Sequence, residues 1–107
     1  EAAFQENAPI TVVIDNNGGL TTISQQQERL FGHDRHVATD FRDIPFHSMF
    51  EGLGGYGELV EDPAEIAPAV NRAMASGRTA CVNVRSRGVI SPIVAAVTSK
   101  RDKASIE

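Results

Sequence analysis

Apolar β-branched residues are concentrated in one short run near the start of the chain, Ile10-Thr11-Val12-Val13-Ile14, followed at once by Asp15, two asparagines and two glycines. A run this short predicts a strand over residues 10–15, buried on both faces as in a parallel sheet. Asn16-Asn17-Gly18-Gly19 cannot extend it, because Asn and Gly tolerate positive φ and favour a sharp turn. Ahead of the strand, Ala2, Ala3, Phe4 and Gln5 tolerate a helix, which Asn7-Ala8-Pro9 ends because a residue before proline avoids the helical region. Behind it, a loop over 16–24 leads to a short helix, residues 25–31, stopped by Gly32. Residues 33–43 mix charges without a period and read as a long loop.

The pattern then takes up the helical period. Phe46, Met49, Phe50 and Leu53 fall at i, i+3, i+4 and i+7 and predict one apolar helix face, ended by Gly54-Gly55. Residues 56–61 read as a strand. Asp62-Pro63-Ala64-Glu65 is a helix start, with Asp62 as cap, Pro63 in the first position and Glu65 placed to reach back to the cap amide. Ile66, Val70, Ala73 and Met74 mark the buried face of that helix, Pro68 bends its first turn, and Gly77 closes it. Residues 79–84 form the last strand. Beyond it, Ile93, Val94 and Val97 offer one helical turn before a polar tail from Lys100. Helices alternate with strands as they do in parallel α/β sheets, and three strands predict a partial doubly wound sheet.

Composition narrows the function classes. A chain of 107 residues holds one domain at most and buries roughly two-thirds of its unfolded surface. Its 41% hydrophobic and 22% charged residues are those of a soluble globular protein. The net charge of −4 argues against nucleic acid, and Lys100-Arg101-Asp102-Lys103 is a basic cluster interrupted by Asp, read as a solvated terminus. Cys81 is the lone cysteine, which leaves no disulfide framework and favours a reducing, cytoplasmic compartment. No run of the sequence has the length of a membrane span. The chain opens on Glu1 in what reads as a helix already under way, and we take it as a piece of something longer.

Four motifs carry candidate chemistry. Gly52-Leu53-Gly54-Gly55-Tyr56-Gly57 matches G-x-G-x-x-G, but it follows a helix and enters a strand, the reverse of the dinucleotide fingerprint. His33, His36 and His47 match no zinc spacing, and Asp34, Asp40 and Asp43 beside them read as surface loop. Cys81, in mid-strand, reads as a small buried hydrophobe. Asn16-Asn17-Gly18-Gly19 is different: an amide oxygen and a main-chain carbonyl fixed by glycine turns are hard donors suited to Mg2+ or Ca2+, provided a carboxylate joins them. The competing reading is a plain tight turn, and residue chemistry alone leaves the two open.

Val12-Val13-Ile14-Asp15-Asn16-Asn17-Gly18-Gly19-Leu20 resembles the second half of the thiamine-diphosphate signature, which opens with Gly-Asp-Gly and closes in Asn-Asn at a strand end. The likeness continues over roughly residues 1–85. Gln25-Gln26-Gln27 stands where acetolactate synthases carry Gln-Trp-Gln. Gly54–Gly57, the helix from Asp62 to Val70 and the strand from Ala80 to Val84 are similar to the family's later elements. The fold implied is the C-terminal portion of a thiamine-diphosphate-binding fold, over residues 1–90, with 91–107 as a C-terminal tail.

By that resemblance Asn17 gives its side-chain oxygen and Gly19 its main-chain carbonyl to Mg2+, which bridges to the diphosphate of thiamine diphosphate, and Leu20 lies against the thiamine. No catalytic side chain falls in this stretch, because the cofactor-activating glutamate comes from another domain, usually of a partner subunit. The implied protein is a homo-oligomeric lyase or carboligase acting on a 2-oxo acid or 2-hydroxyacyl compound, completed by the rest of its own chain, with no nucleic acid or membrane partner. Departures lie at Asp15, where a hydrophobic residue is usual, at Thr21-Thr22 in place of Gly-Met, and at Gln26 in place of Trp. They leave benzaldehyde lyase-like, 2-hydroxyacyl-CoA lyase-like and oxalyl-CoA decarboxylase-like activities open beside the synthase. The alternative is a stand-alone, non-catalytic α/β binding or interaction domain.

Overall fold

A computed structural model describes residues 1–96; Val97 and the expected polar tail from Lys100 lie outside the described residues. The elements are α1 (Ala2–Gln5), β1 (Thr11–Asn16), α2 (Thr21–Phe31), α3 (Phe46–Gly52), β2 (Tyr56–Val60), a 3-10 turn (Pro63–Glu65), α4 (Ile66–Ala75) and β3 (Ala80–Arg85). Residues 92–96 are also helical. The described residues divide into two compact units, Glu1–Asn16 with Asp43–Ser86, and Asn17–Arg42 with residues 87–96.

In the first unit the strands form a parallel sheet in the order β1-β3-β2. The last strand in sequence is therefore the middle one, and Ala80, Cys81, Val82 and Asn83 are all buried. Side chains alternate between faces, and register partners share a face. Val82 is level with Val13 and Glu58, and Cys81 with Val12 and Gly57. One face carries Tyr56, Val60, Ala80, Val82 and Val84, which pack with Ile66, Ala69, Val70 and Ala73 of α4. On that same face, Arg72 of α4 bonds Glu58 through both Nε and Nη2. The other face meets α3: a Cβ on Gly57 would lie 2.2 Å from the His47 carbonyl oxygen. Helices on both faces confirm the partial doubly wound α/β sheet expected from the sequence.

Polar groups seat α3 on its face. Asn83, 1% exposed, donates from Nδ2 to the Ile44 carbonyl at 3.4 Å and lies 3.2 Å from His47 Nδ1. Asn16 Nδ2 donates to the same carbonyl at 3.3 Å. Arg85 reaches both Glu61 and Asp43. Asp15, exposed at the end of β1, accepts from the Ser86 hydroxyl, so the carboxylate that replaces a usual hydrophobe is solvated and partnered rather than buried.

Several expectations need correction. Strand β1 is not buried on both faces: Val13 is 50% exposed, because β1 is flanked only by β3 among the described residues and α4 packs chiefly over β2 and β3. The buried, two-faced strand is β3. Helix α2 begins at Thr21, four residues before the expected start, since Thr21–Ser24 join the helix instead of the loop. On α3, Met49 (58% exposed) and Leu53 (54%) face out while Phe46, His47 and Phe50 turn inward, a rotation of the expected face. On α4, Met74 is 66% exposed and Ala69 fully buried: the close approach of helix to sheet selects small residues. Asp62 caps as expected, accepting from the Ala64 amide at 2.9 Å, but Glu65 turns to Arg72. Pro68 lies in the first turn of α4, where its missing N–H has no intrahelical partner to lose, and the bend appears as the preceding 3-10 turn. Val94 is buried and Ile93 exposed, so only one of the two lies inward.

The Gly-rich run now has a packing role. Gly55 admits the edge of the Phe4 ring, which itself meets Phe50 edge-on at 5.6 Å, and Gly57 admits the backbone of α3. Gly57→Ala should therefore lower stability by about 1–3 kcal/mol through overpacking against backbone that cannot yield. Gly52→Ala, whose Cβ meets nothing within 4 Å, should be neutral or stabilising by a few tenths of a kcal/mol. Denaturant melts of the two variants in the full-length protein check the contrast.

Candidate functional site

The second unit is built on α2 and the irregular segment that follows it. At its start, Gly18 adopts φ +83°, and Gly19 pairs with Asp40 in an isolated antiparallel bridge. The bonds of that bridge run from the Leu20 amide to the Thr39 carbonyl at 2.7 Å and from the Phe41 amide to the Gly18 carbonyl at 2.8 Å. They belong to the neighbours of Gly19, so the N–H and C=O of Gly19 itself point away from the Thr39–Phe41 segment, both to the same side. A side chain at 19 is impossible there, because its Cβ would lie 2.3 Å from the Thr39 oxygen.

The Asn17 side chain occupies the side to which Gly19 turns. Its Oδ1 accepts from the Gly19 amide at 3.3 Å, and its Nδ2 donates to Thr21 Oγ1 at 2.6 Å. The Gly19 N–H is a donor only, which fixes the amide with oxygen toward Gly19 and nitrogen toward Thr21. Asn17 Oδ1 and the Gly19 carbonyl thus open to one side of the turn. Leu20, next along, is 45% exposed, and its carbonyl receives the Ile23 and Ser24 amides at the start of α2. Two neutral oxygens beside a helix N-terminus are hard donors that fit Mg2+ and a diphosphate, and they need anionic oxygens from elsewhere to complete a shell.

Polar clips hold this turn in place. Ser24 and Thr39, both buried, share a hydroxyl bond of 2.8 Å. Gln27 Oε1 accepts from the Val37 amide at 2.9 Å. Gln25 accepts from the Ser91 amide and donates to the Val89 carbonyl, pinning residues 89–91 to α2, whereas Gln26 is exposed. His36 lies between Glu28 (3.0 Å from Nδ1) and Asp40 (2.7 Å from Nε2), and chiefly the Asp40 hydrogen bond raises its pKa above the ordinary 6.5. The triplet of glutamines was visible in the sequence, but the role of Gln25 and Gln27 as backbone clips required the loop partners.

The other candidates resolve into structure. Glu28, His33 and Asp34 can bring ligand atoms within 4.8 Å of one another, but His33 and Asp34 are highly exposed. His47 belongs to the first unit and bonds Asn83. Cys81 is fully buried, and burial pushes its thiol up, the behaviour of a packing residue.

Comparison with known proteins identifies the family. Residues 1–84 match the family model for the thiamine pyrophosphate enzyme C-terminal TPP binding domain. The chain belongs to that family. It is 40% identical over 85 residues to a probable acetolactate synthase of Mycobacterium bovis and to the acetolactate synthase large subunit of Mycobacterium tuberculosis, in each case across 78% of this chain. It is 26% identical over 104 residues to a 2-hydroxyacyl-CoA lyase of Arabidopsis thaliana, across 94% of this chain. The chain spans 15% of the length of the two synthases and 18% of the lyase. The family resemblance read from the Asn-Asn turn and the elements after it is thereby established. Among the described residues no helix is long and apolar enough to cross a membrane.

A pH dependence follows from His36. Its raised pKa means that the contacts to Glu28 and Asp40 stabilise the loop fully below pH 6.5 and are lost as pH rises through the folded-state value. Amide exchange over residues 33–42, corrected for intrinsic rates, should be faster at pH 8.5 than at pH 6. His36→Gln should remove that difference.

Proposed function

We propose that this chain supplies the metal- and diphosphate-facing part of a thiamine-diphosphate- and Mg2+-dependent enzyme that makes or cleaves C–C bonds of 2-oxo acids or 2-hydroxyacyl compounds. The observation that carries the reading is the shared orientation of Asn17 Oδ1 and the Gly19 carbonyl, in a turn where no Cβ fits at 19, within a chain that matches the cofactor-binding family. Asn17 and Gly19 are the metal donors, and Leu20, half-exposed beside them, is the apolar contact for the thiamine. When bound, thiamine diphosphate would supply a carbon nucleophile for chemistry at a carbonyl, held by Asn17, Gly19 and Leu20.

The chain's own residues bind and orient. The absent Cβ at 19 makes room for the Thr39 carbonyl, and that close packing sets the Gly19 backbone in the turn. The α2 N-terminus, with no acidic residue in its first turn, favours that anion. Neither donor bears charge, which supports a carboxylate from the remainder of a longer chain; the proposal also takes the reacting group from a partner subunit of a homo-oligomer, as the family resemblance implies. Identity of 40% to two acetolactate synthases, against 26% to the lyase, favours a synthase-like activity. Residues 1–90 form the cofactor-domain portion and 91–107 a following tail, supported by a family match that ends at 84. The solitary cysteine supports a cytoplasmic location.

Calorimetric titration of the full-length protein with Mg2+ and thiamine diphosphate tests the assignment. Asn17→Ala should weaken cofactor-dependent Mg2+ binding at least about tenfold, the scale seen when a metal site loses even a supporting group. Unchanged affinity in that variant would overturn the reading.

A further inference from the structure

We propose that Thr21 is a positioning residue for the metal donor Asn17, an inference that rests on the function proposed above. The geometry of the second unit gives Thr21 two fixed contacts. Its hydroxyl accepts the Asn17 Nδ2 hydrogen at 2.6 Å. Its methyl is pressed against the backbone of residue 88: a Cβ built on Gly88 would lie 2.5 Å from Thr21 Cγ2 and 3.2 Å from its Cβ. Residues 88–91 cannot easily draw back, because Gln25 holds Val89 at 2.7 Å and Ser91 at 3.1 Å.

A β-branched side chain has one strongly preferred rotamer in a helix, and for Thr the choice turns on what its hydroxyl bonds. Here the contact at Gly88 places the methyl and leaves the hydroxyl on the Asn17 side. The consequence reaches the donor atom. With Nδ2 held by Thr21, the Asn17 amide cannot flip, and Oδ1 stays on the side shared with the Gly19 carbonyl. Without that bond the amide keeps only the long 3.3 Å contact to the Gly19 amide, a contact a bound cation would compete for. Gln25, Gly88, Thr21 and Asn17 thus form one chain of support, and each link lies within the second unit.

The experiment uses the full-length protein, its apparent Mg2+ affinity measured by calorimetry at saturating thiamine diphosphate, with melting temperature recorded for every variant. Thr21→Val keeps the shape against Gly88 and removes the hydroxyl. Loss of one neutral hydrogen bond predicts affinity weaker by about 3- to 10-fold. Thr21→Ser, which keeps the hydroxyl but loses the methyl held at Gly88, should bind more tightly than Thr21→Val and fall short of wild type. Gly88→Ala, which displaces the Thr21 methyl without touching Asn17, should weaken binding in the same direction. In an Asn17→Ala background, Thr21→Val should have no further effect, because its route to the metal is gone. Wild-type affinity in Thr21→Val, with Asn17→Ala weakened, would overturn the inference and leave the proposed function standing. An additional loss on top of Asn17→Ala would also overturn it, since Thr21 would then act independently. Wild-type affinity in Asn17→Ala itself would remove the proposed function and this inference with it.

Discussion

The first unit depends on β3 occupying the middle of a parallel sheet although it is the last strand made. A middle strand with helices on both sides has no solvated face, so every residue from Ala80 to Asn83 must be accommodated in the interior. Ala80 and Val82 do this by packing with Ala69 and Ala73, small residues that let α4 lie close. Cys81 does it as a small apolar group. Asn83 does it by hydrogen bonding: its amide meets the Ile44 carbonyl and His47, which fixes where α3 starts and how it sits. Burying an amide without partners costs on the order of 1–3 kcal/mol, so the bonds to α3 are the condition for a polar residue at that depth. Gly57, directly beside Cys81 in the register, removes the side chain that would have held α3 away.

The second unit is organised by a different physics. Among the described residues it has few buried apolar side chains, and its irregular backbone is held by polar groups aimed at particular amides and carbonyls. Gln25, Gln27, Ser24, Thr39, His36 and Asn17 each satisfy a main-chain or side-chain partner that a regular sheet would have satisfied by itself. Such bonds are directional, which suits a segment whose task is to hold two oxygens facing one way. They are also individually weak, so precision comes from their number.

That contrast explains how far the sequence could be read. The first unit is specified by period and by turn chemistry, both local, and the order of helices and strands was legible from Ile10 to Val84. What failed there was orientation. Met74 and Leu53 fit their helical periods yet face outward, because the period fixes a stripe and the distance to the sheet decides which edge of the stripe is used. The burial of β1 was misjudged for a related reason: an apolar run matches a two-faced strand, but only topology reveals that β3 holds the middle. In the second unit the turn at Asn17-Gly18-Gly19 was legible from residue types and from family resemblance, although Asn16, expected in the turn, stays in β1 paired with Arg85. The start of α2 was not, since Thr and Ser are poor helix formers and their recruitment depends on the Leu20 carbonyl and the Thr39 contact. The glutamine clips were equally hidden, their partners lying up to 66 residues away.

The departures from the family pattern lie along the same polar scaffold. Asp15 is accommodated by Ser86 at the strand end, outside the core, so a carboxylate there alters little of the packing. Gln26 is exposed, and replacing an aromatic at that position leaves α2 anchored by the glutamines on either side. Thr21 differs from both, since it alone bonds directly to a residue of the Asn-Asn pair. A glycine at that position would offer no hydroxyl to Asn17 and no methyl to Gly88, so the donor would need another source of orientation. The substitution at Thr21 therefore changes how the oxygen donor is held rather than which atom donates. The substitution most consequential for the turn is one that leaves the Asn-Asn pair itself unchanged.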